Sequence, residues 1–245
     1  MQTRRLSAEL GRTVGFLRAF VHEHDDPAGL YEMLARDTLD EVGAAKDLHG
    51  ALLLDVGGGP GYLGEAAEQR GATAVTLDLF HSELTLHGRR PTLPVQGDGL
   101  ALPIADLSCD VVHCSNVLEH TDRPRRLFDE VVRVTAPDGL IYLSFTNWLS
   151  PWGGHETSPW HYLGGERAVR HYQRRHGADP KNRYGSLLFP LHVNNVLRWI
   201  RHHRALEVVD LAPRYYPHAF SFLVKVPAVR EVATWNLRAF LRRVG

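Results

Sequence analysis

The chain has 245 residues, 44% of them hydrophobic and 23% charged, a composition typical of a globular protein with a sizeable core. Lys and Arg together number 28, as do Asp and Glu, so no overall positive charge favours nucleic acid as a partner. The sequence has no stretch apolar enough to span a membrane and no signal-peptide pattern. Cys109 and Cys114 are expected to be reduced core thiols, which favours a cytoplasmic location.

The first part of the chain is predicted to be helical. Apolar residues between Leu10 and Val21 recur at the spacing of one helical face. The sequence Pro27-Ala28-Gly29 interrupts this pattern, and a second helical pattern occupies residues 30–47. We therefore expect two N-terminal helices before the first strand.

A glycine-rich turn follows an apolar run at residues 52–56, which is predicted to be a buried strand. Gly57, Gly59 and Gly61 occupy alternate positions, and the helical segment 62–70 comes next. Glycines let the backbone approach a ligand closely, and a helix start offers free N–H groups. The unit is therefore predicted to bind a nucleotide, although its spacing differs from the G-x-G-x-x-G of dinucleotide-binding dehydrogenases.

Polar residues are predicted at the ends of two further strands. Asp78 ends the strand at 74–79 and lies 21 positions after Gly57, where a βαβ unit brings strand ends together. A carboxylate there can accept hydrogen bonds from both hydroxyls of a ribose, although a helix-capping role is the alternative. Ser115 and Asn116 end the strand at 110–116 and are expected to face the same ligand.

The motif Asp55-x-Gly57-x-Gly59-x-Gly61 resembles motif I of the class I S-adenosylmethionine-dependent methyltransferases, in particular the type 11 group. Further landmarks of that family follow in order up to residue 145: Gly-Asp-Gly at 97–99, Leu-Glu-His at 118–120 and Pro-Asp-Gly-Leu at 137–140. The resemblance implies that S-adenosylmethionine is the cofactor. The cofactor-binding residues that it implies, together with those named above, are Asp55, Gly57, Gly58, Gly59, Gly61, Tyr62, Asp78, Leu79, Gly97, Asp98, Gly99, Ser115 and Asn116.

The resemblance also implies the fold. We expect a doubly wound α/β domain with a mostly parallel seven-stranded sheet, helices on both faces and an antiparallel last strand. Residues 49–245 would form this Rossmann-like domain, and residues 1–48 a helical cap over the cofactor cleft.

The end of the chain is predicted to contain one helix, two strands and a second helix. The first helix occupies residues 193–203, and the two strands, at 205–211 and 219–226, are predicted to be antiparallel neighbours. The second helix, from Ala228, would carry Leu237 and Leu241 on one apolar stripe. This stripe could pack on the sheet or against a second copy of the chain in a homodimer.

Residues 146–189 are an insertion after the fifth strand and are dense in Trp, His, Gly and Pro. Long loops at this end of such a sheet are usually functional, and aromatic rings suit stacking against a sugar or another flat acceptor. We therefore expect an acceptor pocket here. The alternative is a hydrophobic cluster that only anchors the loop. The candidate substrate-binding residues are Trp148, Trp152, Trp160 and Tyr162.

Methyl transfer to a hydroxyl requires a base, and histidine suits this role at neutral pH. The candidates are His155 and His161 with Glu156 in the insertion, and His120 after the fourth strand. His155-Glu156 followed by His161 does not match H-E-x-x-H, so no metal ligands are assigned. Weak Mg²⁺ binding would leave no sequence signature and stays open.

The acceptor class is narrowed by a missing motif. Residues 115–118 do not carry the Asn/Asp-Pro-Pro-aromatic sequence that similar enzymes use to methylate amino groups. The favoured hypothesis is O-methylation of a small molecule, with a sugar or oligosaccharide first. A natural product, lipid or quinone is the alternative acceptor. A nicotinamide-dependent oxidoreductase and a non-catalytic S-adenosylmethionine-binding protein are the alternatives of other classes.

Overall fold

The computed structural model describes residues 2–22 and 25–245, with side chains from residue 9 onward. The helices are α1 (Gln2–Val21), α2 (Pro27–Ala45), α3 (Tyr62–Glu68), α4 (His81–Leu84), α5 (Pro124–Val134), α6 (Gly165–His176), α7 (Val193–His202) and α8 (Val229–Ala233). The strands are β1 (Leu52–Val56), β2 (Thr73–Asp78), β3 (Leu93–Gln96), β4 (Cys109–Ser115), β5 (Thr135–Thr146), β6 (Leu206–Pro213) and β7 (Asn236–Arg243). None of the helices within the described ranges has both the length and the apolar character of a membrane-spanning helix.

The seven strands form one sheet in the order β3-β2-β1-β4-β5-β7-β6. β1 pairs in parallel with β2 and β4, whereas β7 is antiparallel to both of its neighbours, β5 and β6. Six strands are therefore parallel and the last strand of the chain is antiparallel, which confirms the predicted fold class. Because the strand order reverses beside β1, the carboxyl ends of β1 and β4 flank the crevice where such sheets bind ligands.

Helices cover both faces of this sheet, and the apolar residues of β1 explain why. Leu53 packs with Leu39 of α2 and Leu63 of α3 on one face. Leu54, the next residue, packs with Phe128 of α5 and Leu197 of α7 on the other face. Since successive strand residues point to opposite faces, a continuous apolar run can fill two separate cores.

The end of the chain differs from the sequence prediction. Most of residues 219–226, predicted as a strand, lie in a 3-10 helix (His218–Lys225), and the predicted final helix ends at Ala233. Leu237 and Leu241 lie in β7 and pack in the same core, whereas Phe240 packs on the opposite face. A spacing of four residues fits one turn of a helix and also one face of a strand, so the apolar pattern alone does not distinguish the two. The apolar helical face suggested for a homodimer is therefore not formed.

Ion pairs attach the two N-terminal helices to each other and to the sheet. Arg12 of α1 pairs with Asp37 of α2 and donates to the carbonyl of Arg214 at 3.2 Å. Arg238 of β7, which is 6% exposed, donates to Glu41 of α2 at 2.7 Å. Because these side chains are largely shielded from water, the pairs fix the position of α1 and α2 more firmly than exposed pairs would.

Candidate functional site

A cavity of about 1420 Å³ opens at the carboxyl ends of β1, β2 and β4 and extends beneath α1 and α2. The predicted site residues that line it are Asp55, Gly57, Gly58, Gly59, Tyr62, Asp78, Leu79, Gly97, Asp98, Gly99, Ser115, Asn116, His120, Trp152, His155 and Glu156. The predicted residues that lie outside its lining are Gly61, Trp148, Trp160, His161 and Tyr162.

The glycine-rich turn presents bare backbone to this cavity. Gly57 has φ +70°, and its N–H donates to the carbonyl of Leu77 at 2.7 Å. A Cβ at Gly57 would lie 2.5 Å from a methyl carbon of Val117, so any side chain there would be both strained and obstructed. The turn therefore fits a ligand that contacts the backbone closely, as the sequence predicted.

Asp78 is held between the glycine turn and the exit of β2. Its carboxylate accepts from the N–H of Gly59 at 3.2 Å and from that of Phe80 at 3.1 Å. Burial raises the pKa of Asp78, while the two backbone hydrogen bonds lower it. Both oxygens are therefore fixed at the cavity wall, beside Leu79, whose side chain is 50% exposed.

Two other predicted acids line the same cavity but already have partners within the protein. Asp55, 1% exposed, accepts from Nδ1 of His113 at 2.6 Å. Asp98 accepts from the N–H of Leu100 at 2.8 Å and so begins the turn Gly99–Ala101. Asp98 therefore already shapes this turn, and a role in ligand binding would add to it.

Sequence reasoning did not identify Arg214, which lines the cavity and directly follows β6. Its guanidinium donates to Ser115 Oγ at 2.5 Å, to Ser144 Oγ at 3.0 Å and to Thr38 Oγ1 at 3.2 Å. Arg214 is 3% exposed, and its Nε has no partner among the described residues. Its contacts come from α2, β4 and β5, so no local sequence pattern marks it. Its charge suits an anionic group of a ligand.

The aromatic insertion divides into two groups. Trp152 lines the cavity, and its ring lies 4.8 Å from that of Trp235, which lines the cavity as well. By contrast, Trp148 packs against His161 at 5.1 Å, and His161 packs against Tyr162 at 4.1 Å.

Trp148, His161 and Tyr162 form a hydrophobic cluster that anchors the loop, which is the alternative that the sequence left open. His161 is only 1% exposed and lies away from the cavity, which argues against its predicted role as a base. Trp160 packs against His171, with ring centroids 4.1 Å apart, and also lies outside the cavity.

Glu119, His120 and His155 meet at the cavity wall and are called here the Glu-His-His cluster. One side-chain ligand atom from each residue lies within 4.8 Å of those from the other two. His120 and His155 both line the cavity, with their rings edge to face at 5.0 Å. Burial lowers the pKa of His155, and His120 lowers it further. The neutral imidazole therefore predominates at neutral pH and can accept a proton.

Glu156 follows His155 in the chain and lines the same cavity, and its carboxylate accepts from Nδ2 of Asn182 at 2.8 Å. The sequence assigned no role to Glu119, because the residues that surround it come from elements distant in the chain.

Comparison with known proteins identifies the family. Residues 54–143 match the model of a methyltransferase domain. A methyltransferase of Mycolicibacterium vanbaalenii is 44% identical over 245 residues, covering 96% of this chain and 95% of the relative. The chain belongs to the class I S-adenosylmethionine-dependent methyltransferases.

The methyltransferase is also similar to one from Mycobacterium tuberculosis H37Rv, 42% identical over 240 residues and covering 94% of each chain. An S-adenosylmethionine-dependent methyltransferase from Mesorhizobium loti shares the fold, with a TM-score of 0.59 and 18% identity over 84% of this chain and 98% of that one. Membership of this methyltransferase family makes S-adenosylmethionine the cofactor, which sets the nicotinamide-dependent alternative aside.

Proposed function

We propose that this methyltransferase methylates a hydroxyl group of a small molecule, with sugars and oligosaccharides as the first acceptor class to test. The observation that carries the proposal is that two imidazoles, His120 and His155, face the same cavity as the glycine turn. Methylation of a hydroxyl needs a proton acceptor beside the reacting oxygen, and these side chains can supply one.

Different residues of the cavity would bind the cofactor and accept the proton. Bound S-adenosylmethionine supplies an electrophilic methyl group on a sulfonium. The glycine turn and Asp78 would bind the adenosyl part, with Asp78 accepting from the ribose hydroxyls. His155 or His120 would take the proton of the acceptor hydroxyl as the new bond forms. Alignment of the hydroxyl oxygen with the methyl carbon and the sulfur supplies much of the rate.

The N-terminal helices would act as a cap over this cavity. Phe16 and Phe20 of α1 pack against Tyr215 at 5.4 and 5.0 Å, and Tyr31 of α2 stacks on Tyr62 at 5.5 Å. These contacts would exclude water from the reacting groups, which strengthens the electrostatic interactions within the site. We therefore propose that residues 1–48 act as the cap and that the insertion at 146–189 supplies one wall of the acceptor pocket.

The aromatic lining supports a flat or cyclic acceptor. Trp152, Trp235 and Tyr216 form a continuous group, with Tyr216 and Trp235 edge to face at 5.3 Å. Aromatic faces bind the apolar C–H faces of sugar rings and also the rings of quinones and other natural products. A lipid would use the same apolar surface.

The two buried thiols are consistent with a cytoplasmic location, which we also propose.

Replacing Trp152 or Trp235 with Ala should raise the KM for the acceptor about tenfold, equivalent to about 1.4 kcal/mol of lost contact. The assay measures S-adenosylhomocysteine release with a glycoside, a phenol and a long-chain hydroxy acid as acceptors. Trp160→Ala is the matched control, because Trp160 lies outside the cavity.

A glycoside that is turned over, with a KM raised in both cavity variants, would support the proposal. Turnover of the phenol or the hydroxy acid alone would move the acceptor to the alternative classes. Unchanged KM values in both variants would place the acceptor elsewhere.

A further inference from the structure

We propose that the Glu-His-His cluster binds a divalent first-row transition-metal ion such as Zn²⁺. The effect of the ion on an acceptor rests on the proposed function, whereas the binding site itself does not. Three observations carry the inference, one for each residue.

Glu119 supplies a buried carboxylate whose charge is not balanced by a cationic side chain. It is 1% exposed, and one of its oxygens, Oε1, accepts from the N–H of Thr146 at 2.7 Å. The other oxygen, Oε2, is buried and has no hydrogen-bond partner among the described residues. Within the same residues, no Lys or Arg forms an ion pair with Glu119. Burying a carboxylate this way is costly unless a cation lies beside it.

His120 is oriented as a metal ligand would be. Its Nδ1 lies 2.6 Å from the carbonyl oxygen of Leu187, so Nδ1 carries the proton and donates it. The lone pair of Nε2 is therefore free, and metal-binding histidines commonly use their second nitrogen to donate to a carbonyl in this way. The segment that carries the Leu187 carbonyl is itself attached to the cluster, because the N–H of Phe189 donates to the backbone carbonyl oxygen of Glu119 at 2.8 Å.

His155 supplies the third ligand. Its Nδ1 is buried and has no hydrogen-bond partner in the part of the chain that the structure describes. The residue has φ +49°, a backbone conformation that non-glycine residues adopt at some cost. Two orphaned buried atoms, Nδ1 of His155 and Oε2 of Glu119, therefore belong to the same cluster.

The ligand set and its dimensions select the class of ion. The ligand atoms lie within 4.8 Å of one another, whereas two bonds of about 2.1 Å to one metal place ligands at most about 4.2 Å apart. Small rotations of the side chains would close this difference. Two imidazoles and one carboxylate favour Zn²⁺, Co²⁺ or Ni²⁺ over Mg²⁺ and Ca²⁺, which prefer oxygen ligands.

The ion would have an open coordination position facing the acceptor. Because His120 and His155 line the cavity, a bound hydroxyl or water could complete the coordination from that side. The ion would lower the pKa of that hydroxyl, so that its proton could pass to solvent water in the open cavity and not to a free imidazole. The sequence did not indicate this site. Within the insertion, His155 lies near Glu156 and His161 in the chain, whereas residues 119 and 120 are distant from it.

The test is calorimetry of Zn²⁺ added to the full chain after chelator treatment, with Co²⁺ absorption as a second readout of geometry. We expect one tight site in the wild type, weakened at least about tenfold in Glu119→Gln and in His155→Asn. Glu119→Gln keeps the size of the side chain and its acceptor for Thr146. His176→Asn, an exposed residue of α6, is the control and should bind Zn²⁺ as the wild type does.

Equal Zn²⁺ affinity in the wild type and both cluster variants would overturn the proposal, as would no binding at micromolar Zn²⁺. Circular dichroism establishes that each variant is folded. S-adenosylhomocysteine binding and turnover of the metal-free wild type are measured in parallel. If both persist without Zn²⁺ binding, the metal site fails and the proposed function stands.

Discussion

Replacing Asp78 with Ala should weaken the binding of S-adenosylhomocysteine by at least about tenfold, or about 1.4 kcal/mol. The carboxylate is fixed by the N–H groups of Gly59 and Phe80, so it meets a ribose without having to be ordered first. The variant would lose the charge-assisted hydrogen bonds to the ribose. It would also lose the hydrogen bond that connects Gly59 of the glycine turn to Asp78 at the end of β2. The measurement is calorimetric titration of the product cofactor.

The matched control for Asp78 is Glu68→Gln. Glu68 is a carboxylate of α3 that lies outside the large cavity and accepts from the hydroxyl of Thr92 at 2.8 Å. Its substitution should leave the affinity for S-adenosylhomocysteine unchanged. A folded Asp78→Ala variant that binds the cofactor product as tightly as the wild type does would show that Asp78 is not a ribose ligand.

Replacing His155 with Asn should lower turnover about a hundredfold while leaving S-adenosylhomocysteine affinity nearly unchanged, because loss of a proton acceptor affects the chemical step and not cofactor binding. The same loss is expected whether His155 acts as a free base or as a metal ligand.

The pH dependence of His155 follows from its environment. An unperturbed histidine has a pKa of about 6.5. Since burial lowers the pKa of His155, its neutral form persists to a lower pH than that of an exposed histidine. With His155 acting as a free base, turnover should therefore hold through that range as the pH falls and decrease when His155 becomes protonated at more acidic pH.

His161→Asn separates this role from a structural one. His161 packs between Trp148 and Tyr162, so its replacement should lower the melting temperature more than the turnover of the folded protein. If instead His161→Asn abolishes turnover and His155→Asn leaves it intact, the base has been assigned to the wrong histidine.

The parts of the candidate site whose positions could be predicted from the sequence are local. Residues 52–62 contain the strand, the turn and the helix start in one continuous segment, so the chain itself determines their geometry. Asp78 and Asp98 follow at the ends of later parallel strands, and the sheet brings such ends to one edge. Residues 55–60, Tyr62, Asp78 and Asp98 line one cavity, whereas Gly61 lies outside its lining.

The parts that the sequence missed depend on contacts between distant segments. Arg214 meets residues of α2, β4 and β5, and Trp235 reaches Trp152 from the far end of the chain. Glu119 Oε2 has no partner among the described residues, a property that depends on which side chains other elements bring to it. Periodicity failed at β7 for a different reason, since its apolar spacing satisfies a helix and a strand equally well.

The most direct measurement is a calorimetric titration of the unmodified chain with S-adenosylmethionine, alongside NADH. We expect a single saturable site for S-adenosylmethionine and no binding of NADH, because one glycine turn and three strand-end acids line a single cavity. No heat with S-adenosylmethionine, or saturable binding of NADH in its place, would contradict the assignment of that cavity to the methyl donor.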